Sequence, residues 1–171
     1  MTRLSGGETE GGEPQRPDTL CLRYNTEQGT KHTLFSYKST VPQDLVLSRE
    51  DEGTMKVIIG VHICITRDKE QQLVGLNVNG QLSSRKLQEG TQPVTTRSRV
   101  IVGQQEACIG KEQNLVGEIL DANLWDWVLS PIDIRNLSMG DFSTQGNVIS
   151  WLNAGIETKG KVMTRLSTRT Q

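Results

Sequence analysis

Short alternating segments, each closed by turn-forming residues, recur along most of the chain and constrain its fold more than any other feature. Leu20, Leu22 and Tyr24 alternate with more polar neighbours, which is the period-two pattern of a β-strand. The sharpest signal is Asn79-Gly80, which ends an alternating run that begins at Gln72. This dipeptide supplies the positive φ angles of a two-residue hairpin turn, so the pattern predicts antiparallel strands joined by tight turns.

The same rhythm gives further strand candidates on both sides of this hairpin. They are residues 33–38, 41–47, 57–66, 82–87, 98–103, 115–127, 148–152 and 160–163. Short strands separated by turn residues are typical of two packed antiparallel sheets, so the predicted fold class is an all-β sandwich.

One segment departs from this rhythm and predicts a single short helix. Ser130 suits the N-cap and Pro131 the first helical position. Ile134 and Leu137 share one helical face, and Gly140 lies where the chain must leave the helix.

The domain organisation follows from length and local composition. The 171 residues suit one domain with a real core. Residues 1–18 are rich in Gly, Glu, Pro, Arg and Ser and are predicted to form a disordered arm, followed by a domain at 19–163 and a tail at 164–171. The arm lacks the apolar stretch of a secretory signal, so either the signal lies outside this sequence or the protein stays inside the cell.

Charge and motifs argue against several classes of function. The net charge is −1 and the two signs are mixed, which differs from the basic surface of a nucleic-acid-binding protein. The longest apolar run, Met55 to Ile65, is interrupted by Lys56, Gly60 and His62, so no membrane span is predicted. No phosphate-binding loop, dinucleotide fingerprint or nucleophile elbow occurs, and an enzyme is not expected.

Tryptophan, aspartate and cysteine side chains are the remaining candidates for a functional site. Trp125, Trp127 and Trp151 fit core packing better than a ligand platform. Asp121 and Asp126 flank Trp125, but paired-carboxylate hydrolysis also needs a cleft and a raised pKa. The cysteines, Cys21, Cys64 and Cys108, leave an odd thiol under any pairing, and the residues alone leave open one disulfide or three free thiols.

A series of motifs, taken in order, resembles the pentraxin family. The order and approximate spacing hold from Thr19 to about Val162. The matching stretches are His62-Ile63-Cys64, Val74 to Gly80, Val100 to Glu106, Leu115 to Ile119, Asn123 to Pro131, and Val148 to Trp151.

The resemblance implies a fold, a disulfide and a location. The family fold is a two-sheet jelly roll with lectin-like, laminin-G-like topology. The family pattern also implies that Cys21 pairs with Cys64, which requires an oxidising compartment and hence a secreted or extracellular protein. Cys108 has no partner in the family pattern.

The resemblance further implies a calcium site, and the sequence departs from it. Pentraxins bind two calcium ions and, through them, anionic ligands. The matching positions are Asp44, Gln105, Glu106 and Gln113. Gln105 and Ala107 replace acidic residues, and the loop is several residues shorter. Fewer carboxylates lower calcium affinity, so we expect a degenerate site in which calcium is weak or lost.

The function implied is an extracellular recognition module with a glycan, lipid or protein ligand, able to form a homo-oligomer. The segment between Tyr37 and His62 is much shorter than in short pentraxins, so phosphocholine recognition is not carried over. The same shortening favours an alternative from another class, a decayed or spliced structural or oligomerising fragment without a ligand site.

Overall fold

The computed structural model describes residues 2–5, 18–26, 32–38, 45–49, 60–87, 99–103, 114–158 and 160–165. Within these residues the chain forms strands and one short helix. The strands are β1 (Thr2–Ser5), β2 (Thr19–Asn25), β3 (His32–Lys38), β4 (Leu45–Arg49), β5 (Val61–Asp68), β6 (Leu73–Val78), β7 (Gln81–Leu87), β8 (Arg99–Val102), β9 (Glu118–Trp125) and β10 (Gly155–Thr158); the helix is α1 (Pro131–Ser138).

The strands form two antiparallel sheets, which confirms the predicted all-β sandwich. The first sheet has the order β10-β1-β8-β3-β4, and the second has the order β7-β6-β5-β2-β9. Neighbours in space are mostly distant in sequence, as in β2, which pairs with β5 on one side and β9 on the other.

The core lies between the two sheets, and strand alternation explains its composition. Along β2, Leu20, Leu22 and Tyr24 are buried between the sheets, while Cys21 faces the other side of its own sheet. The residues of the main core are Leu20, Leu22, Tyr24, Leu34, Phe35, Val61, Ile63, Val100, Val102, Ala122, Leu124 and Ile149. Both faces of β2 are therefore buried, although β5 and not β2 is the middle strand of the second sheet.

Helix α1 covers the outer face of the second sheet. The Ser130 hydroxyl accepts a hydrogen bond from the backbone N–H of Asp133 at 3.1 Å, as predicted for the N-cap. Ile134 and Leu137 are buried with Cys21, Cys64, Trp125 and Leu129 in a second, smaller core. Among the residues that the structure describes, no helix has the length and apolarity needed to cross a bilayer.

The hairpin between β6 and β7 confirms the strongest turn prediction. Asn79 and Gly80 have φ angles of 49° and 79°, and Val78 pairs with Gln81 across the two-residue turn. The Asn79 side-chain oxygen also accepts a hydrogen bond from the backbone N–H of His62 at 2.9 Å. This contact ties the turn to the beginning of β5.

Residues 1–18 differ from the predicted disordered arm in the part that is described. Thr2–Ser5 form β1, which pairs with both β8 and β10. Asp18 is buried and bonds to Arg67 and Lys69 at 3.0 and 2.9 Å. The prediction of a disordered arm was wrong for these residues, because composition cannot reveal backbone partners that lie about 100 and 150 residues away.

The end of the chain also differs from prediction. Residues 148–152 do not form a strand: Ile149 makes a single bridge to Leu124, and the chain then turns. Residues 160–163 are irregular as well, and β10 lies earlier, at Gly155–Thr158. In both places the apolar residues form no ladder of backbone hydrogen bonds with a neighbouring strand. The apolar pattern alone therefore predicted strands that do not form.

Candidate functional site

The residues of the predicted calcium site lie outside the described part of the chain. Asp44 immediately precedes β4, and Gln105, Glu106 and Gln113 fall between Gly103 and Asn114. Their role as a degenerate calcium site therefore stays a prediction. The described residues nevertheless define the points at which both segments leave the first sheet.

These anchor points lie toward opposite ends of β3. Leu45, next to Asp44, pairs with Tyr37 near the end of the strand. Gly103, which precedes the other segment, donates its N–H to the carbonyl oxygen of Leu34 at 2.8 Å. Leu34 and Tyr37 are three positions apart along the strand, a span of about 10 Å. The two anchor points, Leu45 and Gly103, are therefore not adjacent on the first sheet.

The described residues bring together a different group, the disulfide cluster of Cys21, His62 and Cys64. Cys21 and Cys64 face each other on β2 and β5 and form a disulfide, with Cα atoms 4.1 Å apart. The His62 Nε2 atom lies 3.7 Å from the Cys64 Sγ atom. All three side chains are buried beneath α1, and the pairing implied by the family resemblance is confirmed.

Arg23 connects this cluster to three other parts of the fold. It lies opposite His62 in the register between β2 and β5. Its Nε atom is 3.3 Å from a carboxylate oxygen of Asp121, and its Nη2 atom donates to the carbonyl oxygen of Leu137 at the end of α1. Its guanidinium carbon is 5.7 Å from the centre of the Phe142 ring, a cation–π distance. One side chain thus joins β2, β9, α1 and the loop after the helix.

The environment of His62 changes its protonation. Burial, together with the positive charge of Arg23, lowers the pKa of His62 to about 4. Both influences disfavour the imidazolium, since burial removes water and the guanidinium repels a second positive charge. At neutral pH the ring is uncharged, and its Nδ1 atom has no hydrogen-bond partner among the described residues.

The three tryptophans divide between the core and the surface. Trp125 is fully buried in the smaller core, and Trp151 packs at the edge of the main core. The prediction of core packing is confirmed for these two. Trp127 is 42% exposed, so it is not a core residue and can contact a ligand.

The two aspartates weighed for hydrolysis each have a partner. Asp121 pairs with Arg23, and an Asp126 carboxylate oxygen accepts a hydrogen bond from the Asn147 side-chain amide at 2.7 Å. Each carboxylate is thus engaged within the fold, Asp121 with a cation on β2 and Asp126 with an amide in the loop before β10.

Sequence reasoning missed the Arg23–Asp121 contact. It depends on a β-bulge: between the pairs Cys21↔Asn123 and Arg23↔Leu120, β9 contains one residue more than β2. Asp121 occupies the bulge with a φ of 52°, which turns its side chain toward Arg23. Asp adopts a positive φ more readily than most residues, but a single Asp within a strand pattern does not by itself mark a bulge.

Comparisons with known proteins agree with this fold. A model of the Pentaxin family matches residues 40–166. C-reactive protein of Sus scrofa is 31% identical over 170 residues, covering 88% of this chain and 76% of the relative. C-reactive protein of Xenopus laevis is 29% identical over 175 residues, covering 90% of this chain and 74% of the relative.

A solved structure extends the likeness to the fold. The native heptameric SAP-like pentraxin from Limulus polyphemus superposes with a TM-score of 0.67 and 15% identity, over 91% of this chain and 90% of that chain. At this identity the superposition shows a shared fold and nothing finer.

Proposed function

The chain belongs to the pentaxin (pentraxin) family, and from that premise we propose that it is an extracellular recognition module whose calcium-dependent binding is weakened or lost. The observation that carries the proposal is the family match over residues 40–166 on a two-sheet scaffold. Its ligand would be a glycan, a lipid or a protein, bound with little or no help from calcium.

The extracellular location is supported by the bond between Cys21 and Cys64. Structural disulfides form and persist in oxidising compartments and are rare in the cytosol. An extracellular location is therefore proposed for this chain.

The weakened calcium site is supported by residue types and by the position of the loops. Calcium affinity depends on the number of oxygen ligands and on their charge. Gln105 and Ala107 stand where the family has acidic residues. The sheet also anchors the segment containing Asp44 about 10 Å along β3 from the anchor of the other loop. Both observations favour a site with too few converging carboxylates.

The alternative, an oligomerising fragment without a ligand site, is supported by the sheet edges. β7 ends the second sheet, and all of its residues are exposed, including Leu82 and Leu87. An edge strand with unpaired backbone groups is a place where another chain can add. The Limulus polyphemus relative is described as heptameric, and a homo-oligomer is proposed here on either reading.

A binding experiment separates the two proposals. The purified chain is tested on a glycan array and on two kinds of vesicle, phosphatidylcholine alone and phosphatidylcholine with phosphatidylserine. Each test is run in millimolar calcium and again with a chelator, and the oligomeric state is measured by native mass spectrometry.

The recognition module predicts saturable binding to at least one surface, with similar affinity in calcium and chelator. Binding that disappears with the chelator would contradict the weakened calcium site. Absence of binding to every surface, together with a defined oligomer, would favour the structural fragment.

A further inference from the structure

The disulfide cluster contains three atoms that could bind a metal ion if the two sulfurs were not joined to each other. The Sγ atoms of Cys21 and Cys64 and a ring nitrogen of His62 all lie within 4.8 Å of one another. Cys64 and His62 are two residues apart on β5 and therefore point to the same face, and Cys21 lies directly across on β2. The backbone thus sets the arrangement, independently of the bond between the sulfurs.

His62 gives a second, independent sign that the cluster can hold a ligand. Its side chain is only 4% exposed, and its Nδ1 atom has no hydrogen-bond partner among the described residues. The other ring nitrogen, Nε2, faces the Cys64 sulfur at 3.7 Å, and sulfur is a weak hydrogen-bond partner. A metal ion bound at Nε2 would replace this weak contact by a coordinate bond, with the ring proton then on Nδ1.

We propose that reduction of the Cys21–Cys64 bond converts this cluster into a site for one monovalent copper ion, bound by the two cysteine sulfurs and the His62 ring. Thiolate sulfur is a soft ligand of the kind that copper(I) prefers, and imidazole also binds copper.

The conversion balances when a phosphine is the reductant. The S–S bond breaks and takes up two electrons and two protons, giving two thiols, while the phosphine becomes a phosphine oxide with an oxygen atom from water. Binding of copper(I) then releases the two thiol protons to solvent. No electron is transferred in that second step, since copper is supplied in the monovalent state.

Copper(I) fits the cluster better than zinc for two reasons. Zinc sites in proteins are almost always four-coordinate, whereas the cluster supplies three ligand atoms among the described residues. The surroundings are the apolar side chains of Trp125, Leu129, Ile134 and Leu137, which leave little place for a water ligand.

The consequence is that β2 and β5 can be linked in either redox environment. In an oxidising compartment the link is the disulfide seen here. In a reducing compartment it would be the metal ion, using the same two sulfurs. The proposal is independent of the recognition function, since the cluster lies on the second sheet, whereas the strands that adjoin the predicted calcium segments belong to the first sheet.

The experiment uses the full chain with Cys108→Ser, so that Cys21 and Cys64 are the only thiols. The protein is reduced with a phosphine, desalted without oxygen, and titrated with copper(I) against a colorimetric chelator. Variants are Cys21→Ser with Cys64→Ser, His62→Gln, and His32→Gln as the matched control, because His32 is the other buried histidine of the chain.

The expected result is one copper(I) per reduced chain, two protons released per ion, and no binding to the oxidised chain. Substitutions in the outer shell of metal sites typically weaken binding 10–100-fold, so loss of the ligand in His62→Gln should weaken it by at least about tenfold. His32→Gln should leave the affinity unchanged. X-ray absorption at the copper edge should show two sulfur neighbours and one imidazole nitrogen.

Several outcomes would overturn the proposal. They are a reduced chain that binds no stoichiometric copper, a double serine variant that still binds it, and a spectrum with two sulfurs and no nitrogen. Equal copper(I) affinity in the reduced Cys108→Ser chain and in its His62→Gln variant would also overturn it, whether or not the reduced chain stays folded. Tighter binding of zinc than of copper(I) would refute the choice of metal.

Discussion

Replacing His62 tests whether burial of this ring makes the protein sensitive to acid. In the unfolded chain the pKa of a histidine is near 6.5, and in the folded chain the pKa of His62 is lowered to about 4. As the pH falls below 6.5, the unfolded state binds a proton that the folded state does not bind. The contribution of His62 to the free energy of unfolding is therefore fully present above pH 6.5 and is lost as the pH falls toward 4.

The size of the effect follows from the same two values. A difference of about 2.5 pKa units corresponds to a maximum of about 3 kcal/mol, reached below pH 4. Between pH 7 and pH 5 the expected loss is about 2 kcal/mol, because the folded state is still unprotonated while the unfolded state is nearly saturated.

The assay is urea unfolding of the native chain and of His62→Gln at pH 7, 6 and 5, followed by tryptophan fluorescence. Other ionisable groups titrate alike in both proteins, so the difference between the two pH dependences isolates His62. The native chain should lose about 2 kcal/mol more than the variant between pH 7 and 5. His62→Leu, a second uncharged replacement, should behave like His62→Gln. Equal pH slopes in all three proteins would refute the reasoning.

Three further predictions concern stability and use the same unfolding assay. Replacing both Cys21 and Cys64 by Ser removes a link across 43 residues and should lower the unfolding free energy by about 4 kcal/mol; a loss below about 1 kcal/mol would contradict the link's role in stability. Gly146→Ala should prevent folding or cost several kcal/mol, because the new Cβ would lie 1.9 Å from the carbonyl oxygen of Ile149. Gly60→Ala serves as the control, because its Cβ meets no atom of the described residues within 4 Å. Equal melting temperatures for the two glycine variants would contradict this contact. Ser130→Ala should cost about 1 kcal/mol through loss of the helix cap, and an unchanged unfolding midpoint would argue against the cap.

The sequence predicted those elements whose cause is local. Asn79-Gly80 fixes the hairpin because two consecutive positive φ angles are required there and few residues adopt them. Ser130 and Pro131 fix the start of α1 for a similarly local reason, since the cap and the first helical position have strong residue preferences. The alternation of Leu20, Leu22 and Tyr24 gave β2 because one face of the strand meets the core.

Elements that depend on distant partners were not predicted. β1 is four residues long and exists through its pairing with β8 and β10, which no local pattern announces. The Arg23–Asp121 pair depends on a bulge in β9 that has no marker in the sequence. The disulfide is an intermediate case. The cysteines alone left several pairings open, and the family resemblance selected Cys21 with Cys64.

The candidate site shows the same division. Family motifs predict which segments would hold calcium, but the number of carboxylates that converge depends on loop conformation, which spacing does not determine. His62 lies in β5 and is buried. Its closeness to the disulfide follows from the register between β2 and β5, which places Arg23 and Cys21 opposite His62 and Cys64.

The central claim is that this pentraxin-family domain has largely lost calcium as a partner, and calorimetric titration with calcium tests it most directly. The native chain is compared with Gln105→Glu combined with Ala107→Asp, and with a control that places the same two acids on the exposed β7 strand, Gln81→Glu with Ser84→Asp. The account predicts no micromolar binding by the native chain or the control, and measurable binding once the two loop carboxylates are restored. Micromolar binding of two calcium ions by the native chain would contradict it.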